Sequence, residues 1–357
     1  MKHPRYRYDI SLDVEQAIQH SGINVEQLRG KTILITGGTG FFGGWMMQAL
    51  LCIQHRLAGD LNLLALSRDP NRFLCNLNKI VSGQVKFITG DVRCFSIDSA
   101  TSITHLIHMA TTNAEETYRG EDQINKFNLL HEGTCNVLAQ CGKSLEKVLF
   151  TSSGVAYGVN HNHFISEDDH TSPDPTEMGS ALGLGKLVSE YLIAYYSAKF
   201  GYEYSIARCF SFGGQNLPLN LHYAFGNFIQ DVLERRDIVI RGDGQDVRSY
   251  LYIGDAVAWL LRLLIEPKNQ IFNVGSSQSI TIEKLAHKVA LQAQFPIKVL
   301  LLGESNEVGN FRRKSYVPST DKILKTYPEL GEVVSLDEII AKMLKVDISF
   351  DQPNSSQ

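Results

Sequence analysis

A short apolar run, Thr32-Ile33-Leu34-Ile35-Thr36, opens directly onto Gly37-Gly38-Thr39-Gly40-Phe41-Phe42-Gly43 and then onto helical spacing from Phe41 to His55. Few local patterns restrict a chain so tightly. Of the glycines at 37, 40 and 43, the first permits a tight turn and the second lets backbone approach pyrophosphate. The third allows the helix to pack closely on the strand. Free N–H groups and the dipole at the helix start favour an anion there. A lone glycine triplet is weak evidence; the strand-turn-helix setting gives it specificity. It predicts a βαβ unit holding NAD(P) on Gly37, Thr39, Gly40, Phe41, Phe42 and Gly43.

The chain continues that rhythm. Apolar runs at Asn62–Leu66, Val85–Ile88, His105–Met109, Lys147–Thr151 and Tyr204–Ala207 read as strands. Helical spacing separates several of them, notably at Glu121–Cys141 and Ala181–Phe200. Such alternation predicts an α/β fold, a Rossmann-like doubly wound parallel sheet covered on both faces. After Arg208 the pattern changes. A loop rich in Gly, Asn and Pro (Phe210–Leu221) leads to a helix at Phe225–Glu234, a strand at Ile238–Ile240 and the turn Gly242-Asp243-Gly244. Isolated strands follow at Ile271–Val274 and Ile297–Leu301. The expected division is a polar leader (1–30) with a helix at Ser11–His20 capped by Ser11, and the dinucleotide domain (31–210, rejoined at about 248–274). A smaller C-terminal substrate-binding region (211–247 and 275–347) and a disordered tail (348–357) complete it.

Composition excludes several classes. The net charge of -4 comes without a long run of like charge, and no basic stripe marks a nucleic-acid surface. The longest apolar stretches, such as Trp259–Ile265, fall far short of the about 20 residues that span a bilayer. No secretory signal opens the chain. The six cysteines (Cys52, Cys75, Cys94, Cys135, Cys141, Cys209) show no CxxC spacing. They read as free thiols of a cytoplasmic protein, and no metal site is expected.

The second strand ends in Ser67-Arg68-Asp69. An acidic residue at its tip would favour NAD, whereas Ser67 and Arg68 suit a 2′-phosphate, so the cofactor reading leans slightly to NADP. Asp91-Val92, after the third strand, is placed to meet the adenine, with a simple turn role for Asp91 as the alternative.

These segments together resemble the extended short-chain dehydrogenase/reductases, the group of nucleotide-sugar epimerases, dehydratases and decarboxylases. The carriers are Thr36–Gly43, Gly90-Asp91-Val92, His108-Met109-Ala110, Thr151-Ser152-Ser153 with Tyr157-Gly158, and Gly185-Lys186 with Glu190. Arg241-Gly242-Asp243-Gly244 with Arg248, Tyr252 and Asp255, and Phe272-Asn273-Val274-Gly275, extend it across nearly the whole chain. The resemblance implies that Ser153, beside Ser152, hydrogen-bonds the substrate, and that Lys186 binds the nicotinamide ribose and lowers a neighbour's pKa. Ala110 would line the cofactor. Arg248 would grip the diphosphate of a nucleotide-sugar, a task suited to a bidentate guanidinium, with Arg312 or Arg313 adding a contact and Ser211 in the pocket wall. It also implies a homodimer built on the helices at Glu121–Cys141 and Ala181–Phe200, the latter carrying Leu187, Tyr191, Ala194 and Ala198.

One departure governs the chemistry. The family's acid/base is a tyrosine four residues before the lysine, and that slot holds Leu182 between Ala181 and Gly183. Leucine carries no titratable proton. Gly154-Val155 also stand where dehydratases keep an acidic pair and decarboxylases a glutamate. Inverting UDP-N-acetylhexosamine dehydratases likewise lack the tyrosine, but their acidic and basic partners after the fifth strand are absent here. Three readings stay open. Another group moves the proton: Tyr157, Glu177, His161, His163, His222, Tyr223, or a water held by Ser153 and Lys186. Alternatively the substrate arrives already oxidised, or the protein binds its ligands without turnover.

Overall fold

In the computed structural model, the described residues are 10–70, 84–98, 100–112, 120, 122–219, 221, 223–303 and 315–345. Strands β1 (Thr32–Thr36), β2 (Asn62–Ser67), β3 (Val85–Thr89), β4 (His105–His108), β5 (Lys147–Ser153) and β6 (Glu203–Cys209) follow one another along the chain. After β6 come β7 (Phe212–Gly213), β8 (Ile238–Ile240), β9 (Val247–Ser249) and β10 (Leu251–Tyr252), and then β11 (Gln270–Val274). The main sheet has seven strands in the order β3-β2-β1-β4-β5-β6-β11, every pair parallel. The order reverses between β1 and β4, which opens a crevice at their carboxyl ends, the usual ligand position in such sheets.

Side chains alternate across the strands because successive Cβ atoms point to opposite faces. Ile33, Ile35, Leu63, Ala65, Ile107 and Leu149 enter one core layer. Leu34, Leu64, Leu66, Leu106, Val148 and Phe150 enter the other. Helices α1 (Ser11–His20), α2 (Phe41–Arg56) and, further along, the helix Ile253–Ile265 cover the first face. Helices α3 (Gln123–Cys141) and α4 (Ala181–Phe200) cover the second. Gly185 lets α4 approach α3, since a Cβ there would lie 2.6 Å from Leu130 Cδ1.

After β6 the chain also carries α5 (Ala224–Leu233), the sheet-covering helix α6 (Ile253–Ile265), α7 (Ile282–Leu291), α8 (Asp321–Thr326) and α9 (Leu336–Leu344), with β12 (Ser279–Thr281), β13 (Val299–Leu301) and β14 (Ser315–Tyr316). β7 pairs with β10, β13 with β8, and β9 lies between β12 and β14. The segment that reads as a leader is packed: Val14 and Ile18 of α1 sit in the main core beside Trp45. Ile10, not Ser11, is the residue before α1, and no side chain caps the helix. The last expected strand is shorter than its apolar pattern, starting at Val299 rather than Ile297. The tail (348–357), Arg312, Arg313, His222 and Cys75 lie outside the described residues. Among the described residues, no helix is long and apolar enough to cross a membrane.

Candidate active site

The carboxyl ends of β1, β4 and β5 and the first turns of α2 and α4 converge on the crevice. At Gly37 the backbone has φ of +73°, and an added Cβ would lie 2.7 Å from the Met109 carbonyl and 2.8 Å from Ala110 N. Gly37 therefore lets the turn after β1 close on the chain after β4. Gly43 faces the turn itself: its Cβ would meet Gly37 O at 2.2 Å and Gly38 backbone at 2.5 Å. Gly40 differs. Its φ of -83° suits any residue, and an added Cβ would meet only Gly37 O, at 3.6 Å. The protein's own packing does not demand glycine there, and Thr39 and Gly40 are exposed. No side chain caps α2 and no acid occupies its first turn, so its N–H groups are available to an anion. Phe42 packs edge-on against Phe212 with centroids 4.6 Å apart, and Phe41 edge-on against Phe42. This cradle fits the pyrophosphate of a dinucleotide.

Under the cradle, Ala110 N donates to Thr36 Oγ1 (3.3 Å), and Thr36 Oγ1 lies 2.7 Å from His108 Nδ1. Thr134 Oγ1 donates to Leu130 O (2.7 Å), so it accepts from His108 Nε2–H at 3.0 Å, and Nδ1 is left to accept from Thr36. Burial pushes the His108 pKa down to about 3, with the Lys186 charge adding to it, and keeps the ring neutral. Sequence reading marked His108 only as a family signature; the link to Thr36 depends on the β1–β4 register.

At the edge of β2, Ser67 is buried and its Oγ accepts from Asp69 N (3.2 Å), while Arg68 is exposed. Asp91 takes the turn role: its carboxylate binds the Arg93 guanidinium at 2.9 and 3.1 Å and the Arg93 N–H. That pairing holds its pKa below the usual range. Val92 is buried against Gly133 of α3, where an added Cβ would meet it at 2.9 Å.

Lys186 reaches the end of β5 from α4. It is buried, and its Nζ donates to Thr151 O at 2.7 Å and lies 4.9 Å from the Phe150 ring centroid. Among the described residues no other acceptor meets Nζ, so two of its three N–H groups await a partner, as ribose hydroxyls would provide. Burial lowers its pKa to about 8, against the opposing pull of Cys209 and Glu190. Ser153 accepts from Val155 N (3.3 Å), and among the described residues its hydroxyl proton has no acceptor. Leu182, half-buried, begins α4 one turn before Lys186 and adds no polar atom.

Two of the expected catalytic residues turn inward instead. Ser152 is buried and donates to Glu190, which also binds Arg208 at 3.0 and 2.7 Å. Burial opposes the Arg208 charge, but the Glu190 hydrogen bonds outweigh it and raise its pKa. Arg208 in turn lies 4.2 Å over the Tyr157 ring. Tyr157 is fully buried and its hydroxyl donates to Asn273 Oδ1 at 2.8 Å. Burial pushes its pKa up to about 12, so Tyr157 is a wall rather than a base. Asn273 is locked by Glu167 Oε1, which accepts its N–H at 2.6 Å. The sequence held one signal for this ion pair: Lys186 and Glu190, four apart, share a helix face. Glu177, His161 and His163 are exposed, and Tyr223 precedes α5.

Arg248, on β9, donates to Val247 O (2.8 Å) and pairs with Asp246 at 3.5 Å. Ser211 lies between β6 and β7, where its carbonyl accepts from Leu251 N.

A putative UDP-glucose 4-epimerase of Methanocaldococcus jannaschii is 28% identical over 259 residues, which is 71% of this chain and 79% of that protein. UDP-glucuronic acid decarboxylase 6 of Arabidopsis thaliana is 27% identical over 262 residues, 72% and 73% of the two chains. The structure of a UDP-N-acetylglucosamine 4-epimerase from Methanobrevibacter ruminantium M1 superposes with a TM-score of 0.71 at 19% identity, covering 88% of this chain and 96% of that one. The profile of the NAD dependent epimerase/dehydratase family matches residues 33–275. With its parallel sheet, glycine cradle and buried lysine, this chain belongs to the NAD-dependent epimerase/dehydratase family.

Proposed function

We propose that the protein modifies a nucleotide-diphosphate sugar by oxidation or reduction at a sugar carbon, coupled to epimerisation or dehydration, with a nonstandard acid/base. The observation that carries this reading is that Ser153 and Lys186 both stand at the end of β5 with protons that no acceptor meets among the described residues, while Leu182, one turn before the lysine, has no proton to give. When bound, the nicotinamide supplies hydride exchange. Gly37, Thr39, Gly40, Phe41, Phe42 and Gly43 hold the pyrophosphate, and Ala110 and Val92 line the cofactor cleft. Lys186 binds the ribose. With its pKa lowered to about 8, Lys186 is neutral in part of the molecules near neutral pH; in that form its amine would take the Ser153 hydroxyl proton as Ser153 takes the proton of the substrate hydroxyl. Ser152 and Tyr157 support that machinery through Glu190 and Arg208. Arg248 grips the diphosphate, with Ser211 in the pocket wall.

Exposed Arg68 supports a slight lean to NADP over NAD, because the nearest carboxylate, Asp69, stands one step past the position that binds a ribose 2′-hydroxyl. Solvent-facing Tyr191 and Tyr195 on α4 and Ile124 on α3 support a homodimer across those helices. The free cysteines Cys52, Cys94, Cys135, Cys141 and Cys209 support a cytoplasmic setting.

Incubating the purified protein and either NAD+ or NADP+ with a panel of nucleotide-sugars, read by mass spectrometry and chromatography, tests the reading. A new isomer of unchanged mass identifies an epimerase, and loss of one water a dehydratase. Binding without product across the panel would sink the enzyme reading.

A further inference from the structure

Helix α1 precedes the stretch matched by the family profile, which begins at residue 33. Its apolar side, Val14, Ala17 and Ile18, is buried. Asp13, one turn earlier, makes polar contacts that packing alone does not require. Asp13 Oδ1 pairs with Lys342 Nζ of α9, and Oδ2 accepts from Gln215 Nε2 at 3.2 Å. Gln215 is buried in the loop after β7, between Gly214 (φ +150°) and Asn216 (φ +66°). Its Oε1 accepts from Tyr252 Oη at 2.8 Å, and its carbonyl accepts from Trp45 Nε1 at 3.1 Å. Trp45 also packs edge-on against Tyr252, with centroids 5.7 Å apart.

Each partner belongs to a different part of the site. Trp45 stands in α2, the helix that begins at the glycine cradle. Tyr252 follows Arg248 by four residues, and Gln215 follows Ser211 by four. One buried amide therefore joins the cofactor helix, the arginine-bearing segment and the loop on the substrate side. A buried amide donor left without an acceptor is costly, and Asp13 supplies that acceptor from outside the family framework. Lys342 balances the carboxylate's charge from the C-terminal helix.

We infer that Asp13 is a positioning residue: acting through Gln215, the N-terminal helix sets the loop after β7 against the Arg248 strand in the geometry that binds a nucleotide diphosphate. This inference rests on the proposed roles of Arg248 and Ser211. Hydride exchange tolerates little misplacement, so a contact far from the reacting atoms can govern the site.

Calorimetric titration of the full chain with UDP and, separately, with NADP+ and NAD+ tests it. Asp13→Ala is expected to weaken UDP binding about tenfold. Cofactor binding stays within about twofold, and Asp13→Asn, which keeps an acceptor for Gln215, stays within about threefold for UDP. Gln215→Met leaves the Asp13–Lys342 pair in place and gives the same tenfold loss, which keeps the test open should Asp13→Ala not fold. Adding Asp13→Ala to Gln215→Met weakens UDP binding by less than about threefold more, because the Asp13–Gln215 contact is already gone and the loss of the Lys342 pair lies away from the loop. UDP binding unchanged in Asp13→Ala, equal losses of UDP and cofactor, or additive losses in the double variant would each overturn the inference alone. A wild type that binds cofactor but not UDP overturns the nucleotide-sugar reading and this inference together.

Discussion

The cofactor cradle and the start of α4 are two helix N-termini at the same edge of one sheet, yet they are specified in different ways. The cradle is built from backbone. Gly37 and Gly43 are there because main-chain atoms lie within 3 Å of where a Cβ would stand, whereas at Gly40 the protein's own atoms leave room for one. At the start of α4 the atoms in play are side chains: the Lys186 ammonium, the Leu182 methyl groups and, from the end of β5, the Ser153 hydroxyl. A backbone site tolerates few substitutions, so it persists and reads clearly. A side-chain site can change a group and leave the fold intact, because the helix backbone does not depend on which side chain stands at such a position. The lesson is that cofactor binding and chemistry are separable properties of this scaffold.

The largest expected effect tests whether the catalytic half has a rigid foundation of its own. Glu190→Ala leaves the Arg208 guanidinium buried and unpaired, for an expected loss of about 3–5 kcal/mol in urea unfolding. A loss below about 1 kcal/mol would mean that the pair is solvated and the foundation lies elsewhere.

The glycines separate packing from binding within the cradle. Gly43→Ala drives a methyl into backbone and is expected to cost about 3 kcal/mol of stability. Gly40→Ala is expected to stay within about 0.5 kcal/mol of wild type in stability. Its cofactor affinity falls at least about tenfold, measured by fluorescence titration. Equal stability losses in the two variants would erase the distinction between a packing glycine and a ligand glycine.

The smallest and most specific effect is a pH signature of Lys186. Its folded pKa, about 8, lies below the ordinary lysine value. Between about pH 8 and 10.5 the unfolded chain binds the extra proton, so the wild type gains stability as pH rises through that window. Below about pH 8 both states are protonated and the full cost of burying the charge, roughly 3 kcal/mol, is present. Lys186→Met is therefore expected to be more stable than wild type at pH 7, with the difference shrinking toward pH 10. A difference that does not vary between pH 7 and 10 would mean that the ammonium is solvated in the apo protein, and it would remove the lysine from the proposed proton transfer.

Much of the fold was legible in the sequence. The limits of β1 and α4 follow from the residues alone, because each is an apolar run closed by glycine or by a change of period. The cradle was legible for the same reason, its signal being local. Most of what the sequence misplaced was non-local. Ser152 and Tyr157 were expected in the catalytic set, but the β5–β6 register sets Ser152 opposite Arg208 and both residues face the Glu190 pair. Asp91 looked ready for adenine until Arg93 folded back on it. The N-terminal residues looked like a leader because α1 carries few apolar side chains, and only packing showed that Val14 and Ile18 complete the core.

The sequence by itself determined the sheet, the cofactor cradle and the absence of the phenol, since each is written in residue type and short-range spacing. Only the tertiary structure decided which polar side chains face the crevice, that Lys186 is buried with one acceptor among the described residues, and that Asp13 reaches Gln215 across 202 residues. Those outcomes depend on strand register and helix packing, which bring distant residues within hydrogen-bonding range and set the dielectric around each charge.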